Sequence, residues 1–281
     1  MNASPWVRPV VAAMLISVAL GACKSVQTTQ GGEVGINRKQ SMSTLVSSEQ
    51  VEKQAAQAYA QVLAQAQKKG LLNQNPQQVQ RVRAVAARLI PQVAVFRPDA
   101  VKWKWEENVL TSKDINAWCM PGGKIAVYTA LIERLNLTDD ELAAVMGHEI
   151  AHALREHARE RMGRQMATDT ATTVGAIALG IFTGVYIDPQ LAGTVSQAVF
   201  VLPNSRENEQ EADIIGVELA ARAGYDPRAA LTLWQKMAQA SSGSPPEWLS
   251  THPSNETRMR ELQTYVAKVV PLYEKAKVAT K

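Results

Sequence analysis

Thr138-Asp139-Asp140-Glu141-Leu142-Ala143-Ala144-Val145-Met146-Gly147-His148-Glu149-Ile150-Ala151-His152 is the stretch from which the fold can be read. Thr138 as N-cap and Glu141 three residues on form a capping box, and Asp139 and Asp140 sit where a helix dipole favours negative charge. A helix that starts there carries His148 and His152 on one face, a turn apart, so both imidazoles can reach one metal ion at about 2.0–2.1 Å. Glu149 is rotated to the side, where its carboxylate can reach a metal-bound water as general base without taking a coordination position. Val145, Met146 and Ile150 give the segment an apolar side, which reads as a buried helix.

The pattern His-Glu-x-x-His arises by chance in about one chain in a hundred of this length, so it needs company. Catalytic zinc takes three protein ligands and leaves one place for water. A metzincin continuation would need Gly and His where Arg155 and Ala158 stand, so the third ligand is expected from a second helix. Asn204 and Ser205 supply capping residues for one, and on it Glu209 and Asp213 share a face. Glu209 can ligate the metal while Asp213 accepts the remaining N–H of a ligating imidazole and fixes its tautomer; Glu207 and Glu211 are next in line as ligands. His157, five residues past His152, falls about 140° round a continuous helix and is read as a structural histidine outside the site.

Outward from these helices the chain is mixed. Apolar residues recur at helical steps from Ser47 to Lys69 and again from Pro76 to Leu89. Extended segments are expected over Val101 to Trp105, Ile115 to Met120 and Lys124 to Tyr128, the last two joined through Pro121-Gly122-Gly123 as a hairpin or sheet edge. Residues 171–187 are apolar but hold three glycines and lack basic flanks, so they read as a buried or mobile helix beside the site, able to act as a lid, in preference to a membrane span. No repeat of 20 to 50 residues is visible.

Several sequence positions match a known family. His148-Glu149-Ile150-Ala151-His152 with Ser205-Arg206-Glu207-Asn208-Glu209-Gln210-Glu211-Ala212-Asp213 resembles the zinc metallopeptidase family, of the gluzincin kind, that includes the CAAX prenyl protease and the bacterial membrane heat-shock protease. Asn116 to Lys124 is similar to that family's Asn-Ala strand and glycine turn, and Thr251-His252-Pro253-Ser254 with Arg258 to its late His-Pro and arginine pair. The resemblance implies an α+β, mostly α, zincin-like metalloprotease domain with a small β-sheet and one Zn2+ per chain. It also implies Glu209 as third ligand, Asp213 behind a ligand, Arg258 paired with the acidic helix, and an edge strand at Asn116 and Ala117 that holds substrate backbone. His252 is placed beside the substrate carbonyl as an oxyanion donor, or else on the metal's open side in a resting state. The several transmembrane helices of the integral-membrane members are missing, which points to a soluble branch.

The 281 residues, 46% of them hydrophobic, suffice for one core, and the net charge of +4 is spread along the chain, which argues solubility and no nucleic-acid partner. Two lone cysteines exclude a disulfide framework. Arg8, the apolar run from Val10 to Leu20 and the small residues Gly21 and Ala22 make residues 1–22 a signal peptide, and Leu20-Gly21-Ala22-Cys23 resembles a bacterial lipobox with Cys23 as lipid attachment. Lys24 after the cysteine directs the expectation to the periplasmic face of the outer membrane. Residues 23–46 then read as a flexible tether and 47–275 as the metallopeptidase domain. Cys119, without a partner, is read as a plain buried thiol. Expected substrates are unfolded or misassembled envelope proteins; a lipid-tethered assembly factor for outer-membrane proteins, with little turnover, is the alternative.

Overall fold

The computed structural model describes residues 23–172, 199, 203–240, 246–253 and 256–279. The expected signal peptide, most of the apolar 171–187 segment, and the Ser241 to Pro245 stretch before His252 lie outside the described residues. Among the described residues no helix is long and apolar enough to cross a membrane.

The fold is mostly helical with small sheets, as expected. Helix α1 (Ser48–Lys68) opens with a capping box between Ser47 and Gln50, and α2 (Pro76–Leu89) is capped by Asn75 with Pro76 in its first turn. The chain then runs through two short 3-10 helices, Ile90–Val95 and Pro98–Lys102, into β3 (Glu106–Leu110), β4 (Ala117–Met120) and β5 (Lys124–Tyr128). Strand order is β3-β5-β4, with β3 parallel and β4 antiparallel to β5, so β4 is an edge among the described residues. The strand expected over Val101 to Trp105 is not formed. Pro98 starts a 3-10 helix there, the Trp105 indole donates to the Ala100 carbonyl at 2.9 Å, and pairing begins one residue later at Glu106.

Strand β4 divides two apolar clusters by its period-2 alternation. Ala117 and Cys119 face the main core, whereas Trp118 and Met120 face the smaller cluster under α1, where Tyr59 meets Trp118 edge-on. After a short α3 (Thr129–Arg134) comes α4 (Asp139–Leu154), buried from Glu141 to its end, whose capping box is the one the sequence spelled: Thr138 accepts from Glu141 N–H and Glu141 from Thr138 N–H. Helix α5 (His157–Thr172) follows, then α6 (Arg206–Arg222, capped by Ser205), α7 (Ala229–Ala240), the one-turn α8 (Glu247–Thr251) and α9 (Glu256–Ala279).

Helices α4 and α6 cross at Gly147 and Gly216. A Cβ on Gly147 would stand 2.8 Å from the Gly216 carbonyl oxygen, and one on Gly216 would stand 2.8 Å from the His148 nitrogen. Only two glycines allow this approach, and it brings the histidines of one helix against the carboxylates of the other.

The expected flexible tether is folded instead. β1 (Cys23–Val26) and β2 (Gln40–Ser43) pair antiparallel, with Cys23 opposite Ser43. Ile36, Met42 and Val46 are buried, and the polar residues that suggested a solvated linker are consumed in internal bonds: Gln40, fully buried, donates to the Arg155 carbonyl at 2.6 Å, and Arg38 reaches Glu160 and Glu211. At Gly32 the backbone takes a positive φ of 67° where a Cβ would strike Phe96 and Glu218.

Candidate metal centre

His148, His152, Glu209 and His252 converge, all buried, with one ligand atom from each lying within 4.8 Å of the others. The two Nε2 atoms of His148 and His152 stand 3.0 Å apart, and Glu209 oxygens lie 3.4 and 3.3 Å from them. The other nitrogen of each ring is engaged elsewhere: His148 Nδ1 is 3.2 Å from Asp213 Oδ1, and His152 Nδ1 is 2.7 Å from His157 Nδ1. With those nitrogens as donors and both rings neutral, as binding of an ion requires, both Nε2 atoms and the Glu209 carboxylate are acceptors aimed at one point. Burial alone would depress His148, yet the bonds and charges of Asp213 and Glu209 raise it to about 9. The same negative surroundings suit a divalent ion.

Asp213 and Arg258 sit beside the converging group. The Arg258 guanidinium grips Asp213 through Nε at 2.6 Å and Nη2 at 2.9 Å and reaches Glu209 at 2.6 Å. Burial would raise both carboxyls, but His252 and Arg258 hold Glu209 well below its ordinary value, and Arg258 with His148 lowers Asp213. Each therefore stays an acceptor. Glu149 points to the other side of the cluster, 3.5 Å from His252 Nε2. His252 ends α8 and directs Nδ1 inward, 3.0 Å from Glu209 and 3.2 Å from His148 Nε2.

A cleft over this cluster is lined by Asn116, Ala117, Cys119, Glu149, Arg161 and Asn204 among others. Asn116 and Ala117, at the start of β4, thus line the same space as Glu149, on a strand that among the described residues is hydrogen-bonded to β5 alone in its sheet. Burial raises the Cys119 thiol well above its usual value, in keeping with a plain buried cysteine. The cysteine expected to carry lipid, Cys23, is the first residue of β1.

Two residues with contacts here escaped the sequence reading. Trp248 donates its indole N–H to Glu149 at 2.6 Å and stacks on His252 at 4.7 Å between ring centroids. It sits in a five-residue helix with no periodic signal, and only its indole N–H, a donor common to all tryptophans, hints at a role. His157 was set aside on the assumption of one continuous helix. The helix breaks at Arg155, Glu156 adopts a positive φ of 51°, and α5 restarts at His157 with its ring turned back on His152. It lies outside the converging group of four but touches one of its members, His152. Burial lowers it to about 4, so the ring is neutral.

Two histidines and a carboxylate from crossed buried helices, with a second carboxylate alongside, are the donor set of a catalytic zinc site in a zincin-like domain. The chain belongs to peptidase family M48, whose pattern matches residues 73–266. It is 38% identical over 191 residues to the mitochondrial metalloendopeptidase OMA1 of Bos taurus, a match covering 63% of this chain and 35% of that protein. The corresponding Arabidopsis thaliana protein is 37% identical over 158 residues, 56% of this chain and 31% of its own length. The β-barrel assembly-enhancing protease of Escherichia coli K12 is 31% identical over 206 residues, 70% of this chain and 41% of that protein. The chain therefore spans less than half the length of these relatives. Zinc is the family's metal, and the four converging residues fit it.

Proposed function

We propose that this chain is a zinc-dependent endopeptidase that hydrolyses peptide bonds of unfolded or misassembled envelope proteins. The observation that carries the reading is the meeting, in one cleft, of Glu149 beside the metal-binding group with Asn116 and Ala117 at the start of β4. His148, His152 and Glu209 would hold the ion, which supplies Lewis acidity and a bound water of lowered pKa. Substrate backbone adds to the β4 edge at Asn116 and Ala117, which sets the scissile carbonyl over Glu149. Glu149 takes the proton of the attacking water and delivers it to the leaving amine. Trp248 keeps that carboxylate aimed at the cleft. Asp213, gripped by Arg258, fixes His148 as the Nδ1–H tautomer.

His252 has two readings. As an oxyanion donor it would stand beside the substrate carbonyl; as a resting-state ligand it would fill the open position. The distances of its Nδ1 from Glu209 and His148 favour the second, so His252 is proposed to close the site until substrate displaces it.

The setting is proposed from the amino-terminal signature: lipid on Cys23 and attachment to the periplasmic face of the outer membrane. A relative named for enhancing β-barrel assembly supports envelope proteins as substrates. Cys23→Ser is expected to release the protein from sedimenting membranes; retention there would remove the lipid anchor from the proposal.

The test of the activity is digestion of an unfolded model protein by the purified chain. Fragments should appear, vanish with a chelator and return with zinc. A zinc-loaded protein that binds the unfolded chain without cutting it would instead support the assembly-factor reading.

A further inference from the structure

We propose that His157 is a positioning residue of the metal centre, the middle member of a Glu211, His157, His152 chain that fixes the tautomer and ring orientation of His152. The inference rests on His152 being a metal ligand. It also extends to the amino-terminal segment, which enters the chain through Arg38.

The tautomers follow from geometry. A ligating Nε2 on His152 carries no proton, so the proton sits on Nδ1 and needs an acceptor. Two Nδ1 atoms at 2.7 Å require one donor and one acceptor, which makes His157 Nδ1 the acceptor. Its own proton is then on Nε2, and that atom faces Glu211 Oε2 at 3.0 Å. The reverse assignment would leave a proton on His152 Nε2 pointing at the metal position and a lone pair of His157 facing a carboxylate. His157 is fully buried, so water cannot relieve that conflict.

Glu211 is held as a fixed acceptor. Arg155 donates to it at 2.6 and 3.0 Å, and Arg38 donates through two nitrogens at 2.8 Å. Arg38 lies between β1 and β2 and also binds Glu160 and Asn208. His148 is backed in a parallel way, by Asp213 clamped by Arg258, with one difference: a carboxylate touches His148 directly, whereas a neutral imidazole is interposed for His152. The break at Glu156 makes room for it, and Arg97, Arg159 and Ser48 all bind the Glu156 carboxylate at that turn.

The experiment uses the full chain with competing chelators to measure zinc affinity. His157→Leu, which cannot accept a hydrogen bond, should weaken zinc binding on the order of 10–100-fold, as for other groups that orient metal ligands. His157→Asn, whose side-chain oxygen can replace Nδ1 as acceptor, should recover most of that loss, and Arg38→Gln should weaken binding in the same direction by less. Equal zinc affinity in the Leu and Asn variants, whether normal or reduced, would overturn the proposal by leaving only a packing role. Nitrogen NMR of the zinc-loaded wild type reads the tautomer without any substitution, which decides the matter even where a variant does not fold. With four histidines in the chain the spectrum is simple. A proton on His157 Nε2 is expected, and one on Nδ1 would refute the chain. Wild-type protein that takes up no zinc would instead defeat the metal-site reading on which this rests.

Discussion

At the scale of single residues the proposed roles separate groups that would hold the metal from the group that would move a proton. Glu209→Ala should lose bound zinc, whereas Glu149→Gln should keep it, and both should be inactive; full zinc occupancy in Glu209→Ala by metal analysis would show that the third ligand is misassigned. His252→Ala tests the closure argued from its distances: basal turnover of a short peptide should rise, and a fall in kcat with unchanged KM would favour the oxyanion role. Legibility in the sequence follows the same division. His148, Glu149 and His152 were readable because their spacing on one helix is purely local, and Glu209 and Asp213 because the same spacing rule holds on a second. His157 was readable as a residue outside the ligand set but not as a neighbour of His152, since its position depends on Glu156 entering a left-handed conformation that glutamate seldom adopts. Trp248 gives no local signal, because its bond to Glu149 spans 99 residues.

At the scale of elements, the crossing of α4 and α6 decides whether the donors meet. Gly216→Ala would place a methyl 2.8 Å from the His148 nitrogen and 3.0 Å from its Cα, backbone atoms that cannot step aside. The helices must separate, so a loss of about 1–3 kcal/mol in unfolding free energy is expected. Zinc affinity should fall with it, because Glu209 rides on the displaced helix. Denaturant melts of chelated protein and chelator competition check the two effects; a variant with unchanged zinc affinity would show that the site tolerates the shift. The capping boxes of α1 and α4 were legible, each being a matter of four consecutive residues. The glycine crossing was not, since neither glycine reveals its partner. β3 was displaced from its expected place because Pro98 favours a turn over the alternating Val and Trp that follow.

At the scale of the whole molecule, the β1–β2 segment changes the picture most, and its polar composition is the reason it was read as a linker: Arg38 and Gln40 find partners more than 100 residues away. Burial would raise the Glu160 carboxyl, but its bonds to Arg38 and Gln40 bring it down to about 2. A carboxyl lowered by folding stabilises fully above its unfolded value, near 4.5, and that contribution is lost as pH falls toward 2. Chelated wild type should therefore lose stability across that window more steeply than Glu160→Gln, and equal slopes in thermal melts would place the acid sensitivity elsewhere. The segment also carries a consequence for reach. With Cys23 acylated, the bilayer would be joined to the first residue of a strand already hydrogen-bonded to the enzyme, leaving no slack chain between them. The cleft would then work at a set height above the lipid, like a blade with a depth stop. Polypeptide loitering near the membrane surface would be cut, while the same sequence deeper in the compartment would pass out of range.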